Sequence, residues 1–304
     1  MMDNAMLLVS NSPHIRSKTT TTKIMLDVII AMCPAFIASV LVFGWRAVLV
    51  VAFCVAMCVA CEFVFEKIVK RENTVGDLSA VVTGILLAFN LPVTIPLWQA
   101  AVGCIVAIVI VKQLFGGIGC NFANPAITAR IVMAMSFAAS MSSFAMKNDA
   151  TSSATPLSGG DIPSIMDLLI GNHNGSLGET CAIAIIAGGI YLIVRRVITW
   201  HTPVAFVGTV FVLSWLLGKD PVEQILMGGV MLAAVFMVTD YTTTPQNKWG
   251  KVIFGFGCGI ITVLIRVYGN YPEGVSFAVL FMNILTPLIS SCTKRRPFGG
   301  VKKK

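Results

Sequence analysis

Residues 103–127, GCIVAIVIVKQLFGGIGCNFANPAI, open with Gly-Cys on an apolar run, cross a glycine-rich linker and begin a second apolar run at Asn-Pro. Residues 257–289, GCGIITVLIRVYGNYPEGVSFAVLFMNILTPLI, share this layout, with Asn283 ahead of Pro287 in the second run. About 20 apolar residues cross a bilayer as one helix. Two such pairs entering from opposite faces make an inverted repeat, a plan that places polar sites near the midplane where the halves meet. The expected architecture is an all-α polytopic membrane protein of about ten transmembrane helices in a 5+5 inverted repeat.

Composition supports the membrane reading. Apolar residues make up 56% of the 304-residue chain and charged residues 12%, against roughly 25% in soluble domains. Mean hydropathy is +0.85, which leaves too little polar surface to coat a soluble globule. The expected spans are 24–43, 45–65, 76–92, 95–114, 122–141, 179–196, 201–217, 224–239, 250–267 and 274–292. They divide the chain into a leader (1–23), a first membrane half (24–141), a long loop (142–178), a second half (179–292) and a basic tail (293–304). The polar leader carries no small-residue cleavage site, so the first helix is expected to stay. With the leader inside, most of the 22 Lys and Arg fall at cytoplasmic ends, in the leader, 66–71, Lys112, Arg195, Arg196, Lys248, Lys251 and the tail. Arg46, Lys147, Lys219 and Arg266 fall on the other side and Arg130 within a span. This asymmetry predicts both termini in the cytoplasm and the loop 142–178 outside it.

Several function classes drop out. The net charge of +8 owes much to TKRRPFGGVKKK at the end of the chain, which suits anionic membrane lipid and not nucleic acid. Cys54, Cys58 and Cys61 share one apolar run and read as small buried residues, since no CxxCxxC cluster motif is present. A GxGxxG dinucleotide motif in a strand–helix setting is also missing, so no soluble dinucleotide-binding domain is expected.

Polar residues inside or at the edges of the spans are costly: Asp27, Asp77, Asn90, Asn121, Asn124, Arg130, Asp240 and Asn283. Asp27 and Asp77 are expected to meet headgroups. Arg130 lies well inside its span and should face a carboxylate, backbone carbonyls or a bound polar or anionic cofactor. Glu179 is expected to cap a helix in preference to serving a cofactor pocket.

The loop contains DATSSAT at 149–155, followed by Pro156. Ser, Thr, Gly and Pro dominate ordinary turns, yet a loop longer than about 15 residues is usually functional or disordered. The stretch resembles the flavinylation signature Asp-Gly-x-Ser/Thr-Ser/Gly-Ala-Thr, with Ala150 where glycine is usual. The resemblance implies that a flavin transferase joins FMN to Thr155 through a phosphoester. It further implies that Ser152, Ser153 and Ala154 give access to the acceptor, that Asp149 assists, and that the reaction takes place outside the cytoplasm.

SPHIRSKTTT (12–21), GIGCNFANPAITAR (117–130), SSATPL (152–157), GSLGETCAIAIIAGGIYLI (175–193), TDYTTTP (239–245) and GNYPEGVSFAVLFMNILTPLI (269–289) extend the likeness along nearly the whole chain. Together they resemble the RnfD family of the Rnf ion-translocating electron transport complex, which includes the NqrB component of the sodium-pumping NADH:quinone reductase. The family implies a fold similar to urea transporters. It also implies a translocase and oxidoreductase subunit of the bacterial inner membrane, active only within a ferredoxin:NAD⁺ oxidoreductase complex that moves Na⁺ or H⁺.

The partners implied are the Rnf components RnfA, RnfB, RnfC, RnfE and RnfG, above all the extracytoplasmic flavoprotein RnfG, with the flavin transferase for maturation. The cofactors implied are covalent FMN at Thr155 and a second, noncovalent flavin such as riboflavin. Asn121, Asn124, Arg130, Asp240 and Asn283 are the candidates to line the second site, and they suit an ion path equally. The competing readings are the NqrB component of the quinone reductase, a cofactor-free solute channel of the urea type, and a structural subunit that only anchors partners.

Overall fold

The computed structural model describes residues 19–71, 73–144, 163–171, 173–269 and 273–294. Thr155, with the rest of DATSSAT and Pro156, lies outside them. The described chain is helical: α1 (Thr21–Phe43), α2 (Trp45–Val69), α3 (Ser79–Phe89), α4 (Leu97–Ile105) with a π-helical continuation Val106–Gln113, α5 (Pro125–Ser136), α6 (Ala138–Met141), α7 (Ile165–Ile170), α8 (Ala182–Val194), α9 (His201–Leu216), α10 (Pro221–Leu226), α11 (Val230–Leu232) with a π-helical continuation Ala233–Met237, α12 (Lys248–Tyr268) and α13 (Val275–Thr293). Helices α1, α2, α12 and α13 are long and apolar enough to cross a bilayer. With the shorter apolar helices, they make the chain a polytopic membrane protein.

The short helices set the position of everything functional. Residues 76–92 read as one span, but helix occupies only Ser79–Phe89 of it. A 3₁₀ turn at Val75–Asp77 and a left-handed Leu78 (φ 65°) delay its start. At the other end Asn90 leaves helical geometry two residues before Pro92, as the conformational restriction before proline favours. Helix α5 begins where Asn124 caps it by accepting from the backbone N–H groups of Ala126 and Ile127, with Pro125 in the first turn. At 1.5 Å per residue, α3 and α5 are only about 17 and 18 Å long, roughly half the thickness of a hydrocarbon core. Their ends expose polar backbone that must be satisfied inside the protein, because lipid cannot do it. The two internal polar clusters described below form at these ends.

Close helix contacts depend on glycine. A Cβ at Gly84 of α3 would lie 2.8 Å from the Val55 Cα of α2, and one at Gly255 of α12 would lie 2.7 Å from the Thr202 carbonyl oxygen of α9. Such small-residue contacts let backbones approach where apolar burial gives little drive to association. The outward surface is oily: Leu41 and Trp45 are each 76% exposed. The interior instead holds Glu62, Lys112, Arg130, Glu179 and Asn283, all buried. This polar-inside, apolar-outside distribution is that of a protein whose solvent is lipid.

Candidate functional site: a polar-edged cavity and a buried charge cluster

A cavity opens between the start of α1, the start of α3, the linker into α5, the end of α8 and the end of the α11 π stretch. Its walls are mainly apolar, including Met25, Val28, Leu86, Ile118, Leu192 and Phe236. Polar residues share the lining, among them Asn121, Asn124, Asp240, Thr242, Ser79 and Lys112. The Asn121 Oδ1 atom is buried and has no hydrogen-bond partner. An orphan acceptor of this kind costs roughly 1–3 kcal/mol if nothing engages it.

Asp240 sits where the π stretch gives way to the segment TDYTTTP. Its carboxylate accepts from the Thr242 backbone N–H at 3.3 Å and from the Thr242 and Thr243 hydroxyls, each at 3.2 Å. Burial pushes this carboxyl above its ordinary range, and the bonds from Thr242 and Thr243 oppose the shift. Asn283, from α13, stands behind the wall. With its amide oriented to suit both neighbours, it accepts from the Asn124 N–H at 3.1 Å and donates to the Thr243 carbonyl at 3.2 Å. Thus Asn283 does not line the cavity; it joins the α5 cap to the Asp240 segment. This contact, behind the cavity wall, joins the stretches 103–127 and 257–289.

Arg130 belongs to a different site. Its Nη1 donates to Asn90 Oδ1 at 2.8 Å and to Glu179 Oε1 at 2.9 Å, and its Nη2 pairs with Glu273 Oε2. The carboxylate expected opposite this arginine is therefore present twice. Arg130 is not among the residues that line the cavity with Asn121 and Asp240: it lies about two helical turns beyond Asn124 and joins the far end of α3 to the segments preceding α8 and α13. Glu179 is not a helix cap, because α8 starts later, at Ala182, and Glu179 spends its carboxylate on Arg130. Close by, His173 is buried with Nδ1 unpartnered. Burial holds His173 below the ordinary histidine range, against smaller opposing contributions from Asp167 and Glu179.

Other polar residues find partners within the protein. Asp27 does not meet headgroups: it is buried and accepts from Tyr191 Oη at 3.1 Å and Arg195 Nη2 at 3.2 Å, tying α1 to α8. Asp77 accepts from Ser79 N at 2.8 Å and so holds the start of α3. Glu62 of α2, which sequence reasoning passed over, pairs with Lys112 at 2.5 Å. A carboxylate inside an apolar run was the available signal for it.

The likeness to known proteins runs along the whole chain. Residues 8–299 match the family model described as the NQR2, RnfD, RnfE family. The chain is similar to the D subunit of the Na⁺-translocating ferredoxin:NAD⁺ oxidoreductase complex of Acetobacterium woodii, at 46% identity covering 100% of this chain and 98% of the relative. It is also similar to the D subunit of the proton-translocating ferredoxin:NAD⁺ oxidoreductase complex of Clostridium ljungdahlii, at 37% identity covering 96% of each chain. The D subunit of the ion-translocating oxidoreductase complex of Escherichia coli O7:K1 is 31% identical, with 97% of this chain and 99% of the relative covered. A helical membrane chain with polar sites at the ends of broken helices, matched end to end in this way, belongs to the NQR2, RnfD, RnfE family.

Proposed function

We propose that this chain is the flavin-bearing RnfD membrane component of an Rnf-type ferredoxin:NAD⁺ oxidoreductase complex, carrying electrons across the bilayer in support of Na⁺ or H⁺ transport. Ten spans in two inverted halves, with both termini in the cytoplasm of the inner membrane, complete the architecture. The helical segments fall within each of the ten expected stretches, and the contact of Asn124 with Asn283 supports a meeting of halves. The partners are RnfA, RnfB, RnfC, RnfE and RnfG, with the flavoprotein RnfG exchanging electrons at the outer face. A flavin transferase attaches FMN to Thr155.

The observation that carries the reading is the cavity. Its apolar walls suit a flat aromatic ring, and the orphan Asn121 Oδ1 suits the imide N–H of a flavin. These residues fit a noncovalent flavin: Asn121 and Asn124 would hold its polar groups, and Phe236, Leu86 and Val28 would pack against its ring. The flavin supplies reversible electron uptake when bound. The protein fixes its place and electrostatics: Asn283 steadies Asn124, and Thr242 and Thr243 fix the Asp240 carboxylate beside it. Arg130, Asn90, Glu179 and Glu273 hold the two halves together beyond the cavity.

The test is flavin accounting. The chain co-expressed with the transferase is expected to fluoresce under ultraviolet light on a denaturing gel, and Thr155→Ala is expected to be dark. Acid extraction of Thr155→Ala is expected to release noncovalent flavin, and Asn121→Leu in that background should lose most of it. A dark wild-type band produced with a working transferase would refute the covalent assignment. Absence of extractable flavin from Thr155→Ala would refute the cavity assignment.

A further inference from the structure

On the cavity wall, Lys112 and Ser79 stand in front of Glu62, which lies behind them on α2 and does not reach the wall. The Lys112 ammonium is almost fully buried and donates to Glu62 Oε1 at 2.5 Å and to Ser79 Oγ at 2.5 Å. Gln113 Nε2 donates to the same Glu62 oxygen at 2.7 Å, while Glu62 Oε2 is buried without a partner. An ammonium has three N–H donors, so two are committed to these acceptors and one remains. The pair is oriented, with its positive end at the cavity and its negative end in the helix packing.

Stability does not explain this arrangement. Burying an ion pair desolvates both charges, and well-packed apolar residues of similar volume serve a fold equally well or better. Leaving a carboxylate oxygen unpartnered makes the structural bargain poorer still. The position of Lys112 at the end of the π-helical stretch Val106–Gln113 points the same way, since such stretches are frequent at functional sites.

We propose that Lys112 is a positioning residue that raises the reduction potential of a flavin ring in the cavity, and that Glu62 moderates it from behind. The inference rests on the cavity holding the noncovalent flavin proposed above. Electrons reaching the ring from a flavin or iron–sulfur carrier in a neighbouring subunit add negative charge to it. The nearby ammonium favours that charge, and the carboxylate opposes it from a greater depth. No bond to Lys112 forms or breaks.

The experiment is a spectroscopic redox titration of the noncovalent flavin in the full-length chain, purified in lipid nanodiscs in the Thr155→Ala background. Lys112→Gln is expected to lower the potential, through reduced-ring binding weakened about tenfold relative to oxidised-ring binding, equivalent to about 30 mV for a two-electron couple. Glu62→Gln is expected to shift it the opposite way, and Lys112→Arg to leave it near the wild-type value. Opposite signs for the two neutralising variants support the proposal, because damage to packing would not depend on the sign of the charge removed. Shifts of the same sign, or none, overturn it while leaving the cavity reading intact. Should Lys112→Gln lose the ring, Lys112→Arg must retain it; loss from both makes the lysine a packing element and overturns the proposal. A starting protein without noncovalent flavin, already detected by extraction, overturns the cavity reading and this inference together.

Discussion

Replacing Arg130 with glutamine removes the cation from a buried cluster and leaves its partners in place. The side chain of Glu179 is 1% exposed and accepts from Arg130 at 2.9 Å, and Asn90 Oδ1 accepts from the same nitrogen at 2.8 Å. Glu273 is a quarter exposed and is therefore the least dependent of the three. Breaking a buried ion pair by removing one partner costs roughly 3–5 kcal/mol, mostly through the charge left unpaired. The orphaned Asn90 acceptor falls within that range and is not added to it, because the groups act as one network. At about 2 °C per kcal/mol, near the lower end for chains longer than 150 residues, the midpoint of unfolding should fall by roughly 6–10 °C. The assay is thermal unfolding of the purified chain in nanodiscs, followed by intrinsic fluorescence. The double variant Arg130→Gln/Glu179→Gln should recover much of the loss, since the unpaired charge is then gone. A fall below about 2 °C for the single variant, or a double variant worse than both singles together, would contradict the reasoning.

Three further expectations follow from particular contacts. Asn283→Leu leaves the Asn124 N–H and the Thr243 carbonyl without their shared partner, so stability should fall by about 1–3 kcal/mol and noncovalent flavin should be lost with it, as read by extraction. Gly84→Val forces α3 away from α2, because the first added atom already lies 2.8 Å from the Val55 backbone; overpacking of about 1–3 kcal/mol should appear as a lower unfolding midpoint. His173 is held below its ordinary value of 6.5 by burial, so the fold binds its proton less readily than the unfolded chain, which takes one up near that value. Its contribution is therefore complete above about pH 6.5 and declines as pH falls from there toward the lower folded value. Unfolding midpoints measured across that interval should slope downward on acidification, and His173→Gln should flatten the slope.

Much of this molecule was legible before any fold was known. The hydrophobic runs, the polar residues inside them and the motifs 117–130, 239–245 and 269–289 pointed to a helical membrane protein of this family, because a lipid solvent punishes every exposed polar group and so marks those that remain. Asn121, Asn124 and Asp240 stood out for that reason, and the fold gathers them around one cavity. What composition could not supply was which polar groups face one another. Arg130 and Asn124 are six residues apart in sequence, yet one joins Glu179 and Glu273 and the other the cavity, because α5 carries them to different depths. Glu62 and Lys112, 50 residues apart, become a pair only once α2 and the end of α4 lie side by side. The cost of burying charge is a property of the residue and can be read along a chain; its compensation is a property of distance in space, and only the packed helices determine that.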